Sequence, residues 1–260
     1  MWSVLLRRAV FGVGPVATAQ AFLRQLRRRD RQARGPSAER LGPHPFDVEF
    51  GVETGGFLSW RELQSGGAND PYISGYLGVA PSVGRRLIGL VERPEQFVFV
   101  DLGCGKGRAT ILASERPFRH IIGVEIAQPL AAVAQDNAAR IARRFPERPK
   151  IEIVRADAAL FELPPEPLVL FLYQPFERPV MRRVLAGLTR SLAITPRAVV
   201  LIYVYPELAR MVDGVPALRR LAEGDCALIE EDRPFSYAGR ADRDPYVVWS
   251  NRQDSATSLI

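Results

Sequence analysis

The run Val100-Asp101-Leu102-Gly103-Cys104-Gly105-Lys106-Gly107-Arg108 decides the fold. Phe97-Val98-Phe99-Val100 leads into it, a short aromatic and β-branched stretch of the kind that forms a buried strand. That strand delivers an acid, Asp101, and three glycines at alternate positions then turn the chain into a helix. Glycine suits such a turn because it accepts unusual dihedrals and lets the main chain approach a ligand closely. The first amides of the following helix offer an anion site. The spacing is GxGxG, which differs from the GxGxxG dinucleotide fingerprint. A P-loop needs Ser or Thr after its lysine, and here Gly107 follows Lys106, so that reading fails.

On either side of this run, helical and strand patterns alternate from about residue 71. Pro81 suits a first helical turn and predicts a helix to about Glu92. After the glycine loop a helix runs to about Glu115, and His120–Val124 reads as the second strand. Pro129 opens a long helix with Ala134, Ala138, Ile141 and Phe145 on one face. Ile151–Val154 and Leu168–Leu172 are strands, a helix covers about 178–191, and Ala198–Val204 is a strong strand. Leu218–Ile229 mixes strand and turn signals, and Tyr246–Trp249 reads as a last strand. The expectation is an α/β fold, a doubly wound, seven-stranded, mostly parallel sheet with helices on both faces, plus a helical N-terminal extension.

Composition narrows the function classes. The chain has 260 residues, 47% hydrophobic and 25% charged, which excludes disordered and low-complexity readings. Net charge is +6, yet residues 1–34 hold eight arginines against Asp30, leaving the rest of the chain at −1. Basicity confined to one end gives little support to a general nucleic-acid-binding surface. Cys104 and Cys226 make no disulfide framework, and no CxxC or His/Cys metal spacing occurs. With only His44 and His120, Ser-His-Asp hydrolysis is poorly supplied. These features fit a reducing, cytoplasmic setting without a metal.

The glycine run resembles the first motif of the class I, seven-strand S-adenosylmethionine-dependent methyltransferases, D/E-x-G-x-G-x-G, and the chain is nearest to bacterial members of unassigned substrate. The resemblance covers roughly residues 79–250. It implies S-adenosylmethionine as cofactor, with Asp101, Gly103, Cys104, Gly105 and Gly107 in the loop around its methionine part. Glu125, 18 residues past Gly107 at the end of the second strand, stands where the family's acid holds the ribose. A carboxylate can accept from both hydroxyls. Asp157 and Ala158, after the third strand, match the family's adenine site. Cys104 reads as a small filler of the loop rather than a nucleophile.

Leu172-Tyr173-Gln174-Pro175-Phe176 looks like the family's fourth motif, where amino-methylating members carry N-P-P-Y or a relative. The resemblance makes Gln174 and Tyr173 the catalytic candidates, with Gln174 facing the acceptor. Gln174 replaces Asn or Asp and Phe176 directly follows the only proline. The chemistry implied is in-line transfer of the sulfonium methyl, driven mainly by positioning. A base is needed only for a protonated acceptor, and Tyr173, Glu177 and Tyr205 are the candidates. The acceptor implied is a protein amine or a small molecule. The alternatives are a non-catalytic binding or scaffold protein on the same fold and a dehydrogenase-like nucleotide enzyme, the latter disfavoured by the glycine spacing.

Upstream, residues 46–56 (FDVEFGVETGG) are dense in acids, aromatics and glycines and resemble an FDxxFGVDT-like opening of bacterial methyltransferases, from which Glu53 departs. The segment reads as a lid over the cofactor or as a β-hairpin on the sheet edge. Tyr76 with Val79-Ala80-Pro81 looks like a hydrophobic-small-Pro element that precedes the first core helix of some protein-lysine methyltransferases. The domain division expected is a basic N-terminal helix and linker, 1–45, ahead of a methyltransferase domain, 46–260. Residues 7–19 imitate a signal peptide, but glycines, a proline and continuing positive charge oppose export. The uncharged stretch 9–23 has 15 residues, fewer than the ~20 needed to span a bilayer. Residues 1–34 are instead read as a helix that touches anionic membrane peripherally, stays solvated, or packs on the domain.

Overall fold

The computed structural model of the chain describes residues 42–58, 63, 72, 75–236 and 242–252. The expected basic helix and most of the linker, residues 1–41, lie outside the described residues. In chain order the elements are α1 (Pro45–Phe50), α2 (Pro81–Ile88), β1 (Val98–Leu102), α3 (Arg108–Ser114), β2 (His120–Glu125), α4 (Gln128–Arg144) and β3 (Ile151–Arg155). Then come β4 (Leu168–Tyr173), α5 (Arg178–Ile194), β5 (Val199–Val204), α6 (Ala209–Asp213), β6 (Arg219–Ala227) and β7 (Arg243–Ser250).

The strands form one seven-stranded sheet in the order β3-β2-β1-β4-β5-β7-β6. β1 to β5 run parallel, and β7 is antiparallel to both β5 and β6. This is the expected fold. β1 and β5 are buried at every position, which is why β5 is a continuous apolar run and β1 is one but for Asp101, rather than alternating. Successive side chains on a strand point to opposite faces. Phe99, Ile121, Phe171 and Ile202 therefore meet Leu87 of α2, Ile111 and Leu112 of α3 and Ile141 of α4 on one face. Val100, Val124, Leu170 and Leu201 meet Met181, Val184 and Leu188 of α5 on the other.

His44 is buried and caps α1, its Nδ1 accepting from the Phe46 amide at 3.0 Å. One expectation is corrected here: the segment 46–56 forms no hairpin on the sheet edge. α1 packs Phe46 and Phe50 into the core beside Phe145, with ring centroids 4.7 and 5.7 Å apart, and Gly51 ends it at φ 66°. Further on, Leu58 pairs with Tyr76 through an isolated antiparallel bridge. The mixed signals of 218–229 resolve as β6, whose irregularity between Arg220 and Ala222 is a break in register with β7.

Candidate active site

β1 and β4 are neighbours, yet the chain leaves them toward opposite sides of the sheet, so a crevice opens beyond their carboxyl ends, where open α/β sheets bind ligands. A solvent-open cleft lies there. It is lined by Asp101, Gly103, Cys104, Gly105, Glu125, Asp157, Ala158, Tyr173 and Gln174, nine of the ten residues singled out from sequence. Gly107 is the exception. It stands at the N-cap of α3 with φ 86°, and a Cβ there would meet Thr110 and Ala134 rather than the cleft.

The loop needs glycine for space as well as for backbone. Gly103 and Gly105 have φ of 85° and 57°, a region L side chains rarely adopt. A Cβ on Gly103 would overlap Pro175, and one on Gly105 would overlap the Tyr76 ring. The amides of Gly103 and Cys104 both donate to Val124 O, at 2.8 and 3.0 Å, which pins the loop to β2.

Two buried acids stand beside it. Glu125 accepts from the Gly105 amide at 2.9 Å and the Ala127 amide at 2.8 Å. Burial pushes its carboxyl up, and those amides pull it partly back. A carboxylate has about four acceptor sites, so two amides leave capacity for a ligand's hydroxyls. Asp101 is 3% exposed and lines the same cleft. Burial first, and the nearby Glu125 charge second, push it up to about 8. A buried carboxyl held protonated in this way becomes a strong partner once a cation is placed against it. Burial and the two acids also push the Cys104 thiol well up, so it is a poor nucleophile and serves as a filler.

The remaining candidates separate. Asp157 caps a turn, its Oδ1 accepting from the Ala159 amide at 2.9 Å, and also lines the cleft between Ala156 and Ala158. Gln174 directly follows β4 and takes φ 41°, strained for a non-glycine residue. Of the three base candidates only Tyr173 lines the cleft. Tyr205 instead donates its hydroxyl to Asp244 and sets its ring edge against Tyr173 at 5.7 Å. Glu177 precedes α5, its amide bonded to Tyr72 O.

Sequence reasoning did not single out Arg108 or Asn137. Arg108 lines the cleft while buried, and its guanidinium donates to Thr54 and to Val79 O. Its place directly after the glycine loop was the one available signal. Asn137 is buried on α4, bonded to Lys106 O and to both backbone groups of Glu53, and nothing in its helix marks it. Among the described residues no group of three or more His, Cys, Asp or Glu could hold a metal.

These residues fit S-adenosylmethionine. The glycine loop lines an open cleft, Asp101 offers a buried acid to a cationic end, and Glu125 retains acceptor capacity for hydroxyls.

Residues 99–194, from within β1 to the last residue of α5, match the family model described as a methyltransferase domain. No curated protein matches the sequence. Among solved structures the chain is similar to precorrin-6y C5,15-methyltransferase from Geobacter metallireducens GS-15, at 16% identity over 65% of this chain and 86% of that one, with TM-score 0.47. It is similar to magnesium protoporphyrin IX methyltransferase from Synechocystis PCC 6803, solved with bound S-adenosylmethionine, at 15% identity over 66% and 77%, with TM-score 0.43. A 23S rRNA methyltransferase shares 16% identity over 70% and 72%, with TM-score 0.46. The matched stretch, residues 99–194, holds the glycine loop and the two buried acids beside it, and is similar to a methyltransferase domain set in this seven-stranded sheet.

Proposed function

We propose that the protein transfers the methyl group of S-adenosylmethionine to a protein amine or small molecule that enters beside Tyr173 and Gln174. The observation that carries this is the pairing of Asp101 and Glu125, both buried at the glycine loop and both lining one cleft. Asp101 would hold the cationic amine, Glu125 the ribose hydroxyls, and Asp157 with Ala158 the adenine edge. When bound, the cofactor supplies an electrophilic methyl on a sulfonium leaving group. The chain's part is to orient the acceptor, and the amide oxygen of Gln174 can accept a hydrogen bond from its N–H. Tyr173 directly precedes Gln174 on the cleft wall, and its phenol can take or relay a proton where the acceptor carries one.

Isothermal titration with S-adenosylmethionine, S-adenosylhomocysteine and NAD tests the cofactor assignment. Binding of the first two and not the third is expected, and the reverse refutes it. Incubation of the protein with radiolabelled methyl donor and lysate, fractionated into protein, RNA and small molecules, identifies the acceptor class. Cofactor binding without label in any fraction would favour the non-catalytic scaffold.

A location in the cytoplasm, with peripheral contact to anionic membrane through residues 1–34, belongs to the same proposal. It is supported by the net +7 of that stretch and by two cysteines that are both free. No helix among the described residues is long and apolar enough to cross a membrane.

A further inference from the structure

Next to the glycine loop lies more buried polarity than cofactor contacts account for, and it converges on Thr54. This residue is fully buried and every polar atom it has is engaged. Its amide donates to Asp47 Oδ2 at 2.9 Å, and its hydroxyl donates to Asp47 Oδ1. That hydroxyl also accepts from Arg108 Nε at 2.6 Å. Its carbonyl accepts from Arg108 Nη2 at 2.9 Å and from the Tyr76 hydroxyl at 2.7 Å. Asp47 and Arg108, each about 5% exposed, face one another at 3.9 Å.

Stability alone explains such a cluster poorly, because a buried ion pair often does no better than apolar residues of the same volume. The cluster does fix one thing that matters to the cleft, which is where Tyr76 stands. The Tyr76 ring lines the cleft and rests on Gly105 so closely that the loop can carry no side chain there. A second grip reinforces the first. Lys106 Nζ bonds Glu53 Oε1 at 2.6 Å and Gly55 O at 3.0 Å, and Asn137 clasps Glu53 and Lys106 together. Val124 O and Glu125 pin the loop to β2 through its amides, and residues 47–58 brace it further through Tyr76 and Lys106.

We propose that Thr54 is a positioning residue of the cofactor site, acting with Asp47 and Arg108 through Tyr76, so that this upstream segment sets cofactor affinity. The inference rests on the cofactor reading above. Preorganisation of this kind raises affinity by sparing the ligand the cost of ordering the loop.

The test is titration of S-adenosylhomocysteine into the wild type and into Thr54→Val, Thr54→Ser and Tyr76→Phe, where each is folded by circular dichroism. Thr54→Val, which removes only the hydroxyl from the network, should bind about tenfold more weakly. Thr54→Ser, which restores it, should stay within about twofold of the wild type. Tyr76→Phe keeps the ring and loses its tether to Thr54, and should bind about fivefold more weakly. Wild-type affinity in Thr54→Val overturns the proposal even if its melting temperature falls. An equal loss in Thr54→Ser also overturns it, since packing rather than the hydroxyl would then be responsible. Should Thr54→Val fail to fold, Tyr76→Phe decides, and wild-type affinity in that variant overturns the proposal. Failure of the wild type itself to bind would refute the cofactor reading instead.

Discussion

At Gly105 any side chain meets two separate penalties, a left-handed backbone and the Tyr76 ring lying where its Cβ would stand. Gly105→Ala should therefore weaken S-adenosylhomocysteine binding at least tenfold by titration, whereas Gly187→Ala, with nothing closer than 3.9 Å, should not. Asp101 gives a pH dependence with a definite sign. Its folded carboxyl titrates near 8, well above an ordinary aspartate, so the folded state binds more protons than the unfolded one between roughly pH 4 and 8. The group's contribution to stability consequently declines as pH rises through that window. Asp101→Asn should flatten the decline in thermal melts of the ligand-free protein. A ligand that brings a cation should bind more tightly as pH rises toward 8 and release a proton on binding, seen as a buffer-dependent heat. Gln174 behaves in the opposite way to a stabilising residue. At φ 41° a glycine would be less strained, so Gln174→Gly should raise stability by about 1 kcal/mol while transfer falls.

The strands were legible because β1, β4 and β5 are covered on both faces, so β4 and β5 are apolar over all six residues and β1 over all five but Asp101. α1 was not, since six residues, Pro45–Phe50, are too few to establish a period, and its partners are remote in sequence. Its anchor illustrates the point. His44 Nδ1 accepts the Phe46 amide, so Nε2 carries the proton and faces Asp232 Oδ1 at 3.2 Å, 188 residues away. Asp232 also accepts from the amide and hydroxyl of Ser82 at the start of α2. Burial pushes this carboxyl up, but the bonds from His44 and Ser82 outweigh it and hold it below the usual range. The stabilisation is present above the unfolded value near 4 and is lost as pH falls through the lowered folded value. Asp232→Asn should cost about 1–3 kcal/mol in thermal or urea unfolding at neutral pH, and the difference from the wild type should shrink in acid. The candidate site divides in the same manner. Motif residues of the cleft could be read locally, whereas Arg108 and Asn137 acquire their roles only through partners 29 to 84 residues away.

The charge of the whole molecule is divided between a near-neutral body and a basic N-terminal stretch. Removal of residues 1–34 should leave S-adenosylhomocysteine affinity within about twofold, because the motif residues of the cleft lie at 101–174 and Gly35-Pro36 and Gly42-Pro43 intervene in sequence. The full chain should co-sediment with anionic vesicles and not neutral ones, and lose that binding as salt shortens the Debye length from about 10 Å at 0.1 M to about 3 Å at 1 M. Binding that is indifferent to salt and lipid charge would end the membrane proposal. The sheet order carries a consequence for how the chain is made. Among the described strands, β6 has only β7 for a neighbour, and β7 stands between β6 and β5. Strand β6 thus leaves the ribosome with no place in the sheet and must wait for Arg243–Ser250 to emerge. During that wait the Tyr203 edge of β5 stays uncovered, so a pause in translation just before residue 243 would present a nascent chain with an open, adhesive flank to whatever chaperone stands nearby.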